Sequence, residues 1–280
     1  MESKVSQWIR QVVACGLIHG IGVFGVLSSH PAGAEIIEIA SMTALEQRLQ
    51  PEDLVIFDLD NTVMRAGQML GSTMWFSSMV ESSKRPELSD AAAFQVAVDK
   101  WIEVQAYCSM VPVEGKTPEI IAALQQAGRK VMALTSRNVH TRENTVRQLD
   151  GMGVNFSRGG LFPKDGESLA VAHPSQYYRG IVFCGDNEKG AVLEAFMRLA
   201  TLAPKRVVMV DDRRHNLESV EKFLAGKRSF LGLRYSACDV WEKTYDAQVA
   251  DLQLALMGGI LSDRLTRLLL GQGVTPNNPR

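Results

Sequence analysis

The stretch Leu54-Val55-Ile56-Phe57-Asp58-Leu59-Asp60-Asn61-Thr62-Val63 decides the fold. Its apolar opening reads as a strand buried on both faces. The run then breaks into two carboxylates, Asp58 and Asp60, with the Thr62 hydroxyl close behind. Core packing gives no reason for those acids. Alternate residues of a strand face the same side, so Asp58 and Asp60 are expected on one face at the mouth of a sheet. Carboxylates that close repel unless a cation or a proton sits between them. A divalent-metal site with one chemically active carboxylate is therefore the first expectation. An EF-hand loop also begins with alternating acids, but its glycine position holds Val63, and these acids leave a strand, not a helix.

Outward from this stretch the pattern repeats. Val131-Met132-Ala133-Leu134-Thr135-Ser136, Ile181-Val182-Phe183-Cys184 and Arg206-Val207-Val208-Met209-Val210-Asp211-Asp212 are further strands, and Ser229 to Leu233 is a last one. Thr43-Ala44-Leu45-Glu46 reads as a capping box. Thr117-Pro118-Glu119 opens a helix by a hydroxyl cap and an N1 proline. Thr141 to Leu149 and Leu217 to Leu224 are helical, and Asp186 is placed to cap the helix that begins near Lys189. Residues 153–180 read as loop, short strands and a hairpin. Strand and helix alternate, and the strands are uninterrupted apolar runs. That predicts an α/β fold, a Rossmann-like parallel sheet with helices on both faces. Such sheets bind ligands beyond the carboxyl ends of their strands. Asp58, Asp60, Thr135, Lys189, Asp211 and Asp212 all fall there.

Residues 64–112 have another texture. Met69, Met74, Trp75, Phe76, Met79 and Val80 cluster, Lys84-Arg85-Pro86 interrupts, and Phe94, Val98, Trp101 and Ile102 recur at helical spacing behind a Ser89 cap. This predicts a small helical cap of two to three helices inserted after the first core strand, its Met and aromatic stripe serving packing. The core then comprises 35–63 and 113–235, and 236–280 is a helical extension ending in a frayed tail.

The N-terminus reads as a signal peptide over 1–34. A basic start with Lys4 and Arg10, an apolar Val12 to Leu27 and Ala32-Gly33-Ala34 give the three regions, with cleavage expected after Ala34. The apolar run is short for a membrane span, so the mature form is expected to be exported (periplasmic, envelope-bound or secreted) with no stable span. Val12-Val13-Ala14-Cys15 resembles a lipobox only out of order, because the apolar segment follows the cysteine. Cys108, Cys184 and Cys238 remain after cleavage, too few for a disulfide scaffold and without the spacing of a zinc site. The chain has 280 residues, is 46% hydrophobic and carries a formal net charge of −1. It can bury a sizeable core, and it has no basic excess to recruit nucleic acid.

The order of motifs resembles the haloacid dehalogenase superfamily, in its phosphatase branch. Phe57-Asp58-Leu59-Asp60-Asn61-Thr62-Val63 is similar to the first motif of that family, Leu134-Thr135 to the second, Lys189-Gly190 to the third and Val208-Met209-Val210-Asp211-Asp212 to the fourth. Tyr177-Tyr178 before Gly180-Ile181, and Gly232-Leu233-Arg234-Tyr235, further resemble an exported bacterial branch known mainly as a domain of unknown function. The resemblance implies a phosphomonoester hydrolase. Asp58 would be the nucleophile that forms an aspartyl-phosphate. Asp60 would protonate the leaving alkoxide and then activate water. Thr135, Ser136, Arg137 and Lys189 would hold the phosphoryl group. Mg²⁺ would sit on an Asp58 oxygen, the Asp60 carbonyl and Asp211. Asp212 would support the site through water or helix capping, and Asn216 would orient the acids.

By the same resemblance the insertion would be a lid, and the partner a phosphorylated small molecule, with a phosphopeptide as the variant. Two other readings stand beside the hydrolase. One is a binding or interaction protein that keeps the fold with little turnover. The other is a phosphotransferase with a different acceptor.

Overall fold

The computed structural model describes residues 33–158, 163–256 and 266–267. The strands, in chain order, are β1 (Ala34–Ile39), β2 (Leu54–Phe57), β3 (Met64–Ala66), β4 (Met110–Pro112), β5 (Lys130–Thr135), β6 (Gln176–Tyr178), β7 (Ile181–Phe183), β8 (Arg206–Asp211) and β9 (Ser229–Tyr235). The helices are α1 (Thr43–Glu46), α2 (Thr73–Ser82), α3 (Asp90–Gln105), α4 (Thr117–Gln126), α5 (Arg142–Asp150), α6 (Lys189–Leu199), α7 (Arg214–Leu224), α8 (Asp239–Glu242) and α9 (Ala247–Ala255). Among the described residues, one sheet runs β1-β9-β8-β2-β5-β7-β6, parallel except for the β6–β7 pair.

The two-residue period of the strands divides the core. Val55, Phe57, Val131, Ala133, Val208 and Val210 face one side, where Ile120 and Leu124 of α4 and Val146 and Leu149 of α5 cover them. Leu54, Ile56, Met132, Leu134, Val207 and Met209 face the other, under Val192 and Phe196 of α6 and Leu217 and Val220 of α7. Each fully buried Val, Leu, Ile, Phe or Met among them contributes roughly 1.5–3 kcal/mol over exposure, so the alternation fixes which face each strand residue takes. β2 lies between β8 and β5, and the chain fills the sheet outward from it in both directions. That is a topological switch point, and open α/β sheets bind ligands beyond the carboxyl ends of their strands at such a point.

The expected hairpin exists. β6 and β7 pair antiparallel around Arg179 and Gly180, both left-handed with φ of 49° and 81°. A side chain at Gly180 would also meet the Phe156 carbonyl oxygen at 2.2 Å, so only glycine fits there. Sequence patterning misses three strands. β1 spans the expected cleavage point after Ala34, and β3 and β4 are short. The latter two pair antiparallel, Met64 with Pro112, where the chain leaves for the inserted helices and returns.

The chain divides into two compact units. One holds the sheet, from the described start to Gly67 and over Ser109–Thr244; the other joins Gln68–Cys108 to the chain from Tyr245. The segment 236–280, read as one extension, is thus divided after Thr244. Within the second unit, Ser72 and Ser89 cap α2 and α3 through bonds from the Trp75 and Ala92 amides. Phe76 stands edge-on to Phe94 and Trp101. The Leu70 amide donates to Gln253 of α9 at 2.9 Å. The Met and aromatic stripe therefore packs this unit.

Three expected caps are not made. Met42 and Lys116 precede α1 and α4 in helical conformation, so Thr43 and Thr117 lie inside their helices and cap nothing. Asp186 is exposed, and Glu188 holds the N-cap position of α6 without a side-chain bond. Cys108, Cys184 and Cys238 are all buried. No helix among the described residues is long and apolar enough to cross a membrane. The signal peptide up to residue 32, the lipobox-like segment and the tail over 271–280 lie outside the described residues.

Candidate active site

Asp58 follows β2 directly and Asp211 ends β8. The register sets Phe57 beside Val210, and the Asp58 amide donates to the Val210 carbonyl at 2.9 Å. The two carboxylates therefore come level on adjacent strands, on the face shared by Ile56 and Met209. Lys189, first residue of α6 on that face, donates its Nζ to Asp58 Oδ1 and, at 2.8 Å, to Asp211 Oδ2. All three side chains are buried. Gly190 permits this approach. A Cβ there would lie 2.3 Å from the Ser219 carbonyl oxygen of α7, so glycine lets α6 and α7 close together behind the lysine.

Oxygens of Asp58, Asp211 and Asp212 lie within 4.8 Å of one another. Asp211 also accepts from Asn216 Nδ2, at 3.0 and 3.1 Å, and from the Arg213 amide at 2.8 Å. Asp212 does not cap α7, whose N-cap residue is Arg213. Its amide donates to Thr62 Oγ1 at 3.1 Å, and its carboxylate pairs with Arg213 at 3.1 Å. Three acids against Lys189 and Arg213 leave a net negative charge when all are ionised. The donors are hard carboxylate oxygens. Charge and donor type both fit Mg²⁺ and argue against a thiophilic metal.

Burial pushes the Asp58 carboxyl from 3.8 up to about 7; Lys189 pulls it down, while Asp211 and Asp60 push it further up. Asp212 is also raised by burial, against Arg213. Burial acts to lower Lys189, but Asp211 and Asp58 together outweigh it and hold the ammonium above its ordinary range. The lysine is therefore charged, and added positive charge at the cluster favours ionised Asp58.

Asp60 departs from the expectation that it shares a face with Asp58. β2 ends at Phe57, and strand alternation ends with it. Asn61 takes a left-handed φ of 61°, which asparagine tolerates better than most residues, and the turn closes through its amide to the Met64 carbonyl at 2.7 Å. The Asp60 carboxylate accepts from Arg137 Nε and Nη2, both at 2.8 Å. Arg137 was expected on the phosphate. Instead its guanidinium is buried against Asp60, with Nη1 donating to Thr145 and Gln148 of α5 at 3.0 and 2.7 Å.

Thr135 ends β5 buried, its Oγ1 accepting from the Arg137 amide at 3.2 Å, and Ser136 is exposed. Sequence reasoning passed over Asn61, Thr145, Gln148 and Glu242. Glu242 accepts from Asn61 Nδ2 at 2.7 Å and from Arg213 at 2.8 Å, which ties α8 to the acids. The long sequence separation of these partners hid them; the Arg that follows the double Asp was the one available signal.

Among known proteins, the chain is 24% identical over 217 residues to a Chlamydia pneumoniae protein provisionally named an outer membrane protein, covering 77% of this chain and 81% of that one. A Chlamydia muridarum protein of the same provisional name is 23% identical over 218 residues, with the same coverage of each chain. An uncharacterised protein of Rickettsia prowazekii is 22% identical over 230 residues, covering 78% of this chain and 81% of its own. The model of one family, described as protein of unknown function (DUF2608), matches residues 35–266, and the chain belongs to that family.

Proposed function

We propose that this chain is a Mg²⁺-dependent phosphomonoester hydrolase of the cell envelope, with a haloacid-dehalogenase-like site acting through an aspartyl-phosphate on Asp58. One observation carries the reading: Asp58 and Asp211, level on adjacent strands at the switch point, are bridged by the buried Lys189. In the first step an Asp58 oxygen attacks phosphorus in line. The new O–P bond forms as the ester P–O bond breaks, and Asp60 passes a proton to the departing alkoxide. In the second step water attacks the phosphorus and gives its proton to Asp60. The P–O bond to Asp58 breaks, which releases inorganic phosphate and restores both acids.

Lys189 offsets the charge that gathers between Asp58 and the phosphoryl oxygens, and Thr135 offers them a hydroxyl. Asp58, Asp211 and the Asp60 carbonyl would hold Mg²⁺, which supplies Lewis-acid stabilisation of the phosphoryl charge. The signal-like start and the outer-membrane names of the chlamydial relatives support export. The substrate class is a phosphorylated small molecule. The test is phosphate release from a panel of phosphomonoesters by the full-length chain, with Asp58→Asn as control. Release that needs Mg²⁺ and vanishes in the variant is expected. Equal rates for wild type and variant would sink the proposal.

A further inference from the structure

The pair that joins Arg137 to Asp60 is lopsided. The arginine side chain is 1% exposed and the aspartate 25%. The cation is anchored in the protein, and the carboxylate stays partly exposed. Bonds from Nε, Nη1 and Nη2 hold the guanidinium, two to Asp60 and one each to Thr145 and Gln148. The main chain of Arg137 is held as well. Its amide donates to Thr135 Oγ1, and its carbonyl accepts from the Gly185 amide at 3.2 Å. A bidentate guanidinium fixes the plane of a carboxylate, which a lysine cannot do. It uses two of about four lone-pair sites and leaves the rest for a proton.

We propose that Arg137 is a positioning residue for Asp60: anchored on α5, it holds the Asp60 carboxylate in the plane from which it gives its proton to the leaving alcohol. The inference rests on the phosphatase reading above. It replaces the expectation that Arg137 binds the phosphoryl group, because most guanidinium donors already serve Asp60, Thr145 and Gln148.

Leaving-group chemistry separates the two roles. The alkoxide from glycerol phosphate must be protonated as it departs, whereas the nitrophenolate from p-nitrophenyl phosphate leaves unaided. The full-length chain with Mg²⁺ is assayed on both esters, and kcat/KM is compared because it covers only events up to departure of the alcohol. Arg137→Gln should lose about 100-fold or more on glycerol phosphate, the usual reach of general acid catalysis, and less than about 10-fold on p-nitrophenyl phosphate. Arg137→Lys should resemble Arg137→Gln, since it restores charge without the plane. If Arg137→Gln fails to fold, the double variant Thr145→Val with Gln148→Leu, which removes only the anchor, should show the same order of losses. An equal fall on both esters, or no fall on either, overturns the inference while the hydrolase reading stands. Absence of wild-type turnover on every ester, with Mg²⁺ present, overturns both.

Discussion

Replacing Lys189 with methionine tests the electrostatics of the site most directly. Methionine keeps much of the volume and removes the ammonium that bridges Asp58 and Asp211. Those side chains are 7% and 0% exposed, so the variant buries two acids without their shared cation. Removing one partner of a buried pair costs about 3–5 kcal/mol. Asp211 keeps Asn216 and the Arg213 amide, but Asp58 loses the side chain that donates to it. At about 2–4 °C per kcal/mol for a domain of this size, the melting temperature in chelator at pH 8 should fall by roughly 6–20 °C. The sign of the pH dependence is fixed by linkage. The folded pKa of Lys189 is raised, so its contribution is complete below its ordinary 10.5 and is lost only as pH climbs past the folded value. Asp58, freed from the group that lowers it, takes up a proton more readily. The deficit of the variant should therefore shrink as pH falls toward 5. Calorimetry in chelator across pH 5 to 8 measures both. A loss under about 2 °C, or one unchanged with pH, would refute the idea that charge holds this site together.

Asp58→Asn should have the opposite effect. A folded pKa raised from 3.8 to about 7 means that wild type loses stability as pH rises through that window, by up to about 4 kcal/mol as an order of magnitude; in chelator at pH 8 the variant should melt above wild type, and a lower melting point contradicts the raised value. Below about pH 7 Mg²⁺ at the proposed site would have to displace a proton from Asp58, so its affinity by titration calorimetry should weaken by up to about tenfold per pH unit; an affinity flat from pH 8 to 5.5 excludes that competition. Gly190→Ala places a Cβ 2.3 Å from the Ser219 oxygen and 2.5 Å from Phe223 Cδ2, and should cost about 1–3 kcal/mol in a thermal melt. Wild-type stability there would mean that α6 and α7 have room to spare.

What the sequence reveals of this fold follows the reach of its interactions. β2, β5 and β8 are legible because burial on both faces forces uninterrupted apolar runs, and Asp58, Thr135 and Asp211 are legible because they end those runs. Lys189 is found by its place before an apolar helix. Helix caps are less legible. Thr43 and Thr117 have the right chemistry, but the backbone angles of Met42 and Lys116 extend each helix past them. β1 hides at the end of the signal-like segment, and β3 and β4 are too short to show a period. Contacts across the fold are silent in the sequence. Arg137 and Asp60 are 77 positions apart, and Asn61 and Glu242 are 181.

The motif that opens the site assumes one cation between two acids on one face. The structure separates them. Asp58 turns toward Lys189 of α6, and Asp60 turns toward Arg137, which is anchored on α5; these helices cover opposite faces of the sheet. The cause is local. β2 stops at Phe57, so strand alternation no longer governs where Asp60 points. Each acid thus has its own protein cation, and repulsion between the two no longer requires a metal. A metal remains favoured only on the Asp58 side, where Asp211 and Asp212 add charge that Lys189 and Arg213 do not fully offset. A site built solely to chelate would aim both acids of the motif at one point. Two acids held apart on separate supports suit the two tasks proposed for them, attack by Asp58 and proton transfer by Asp60.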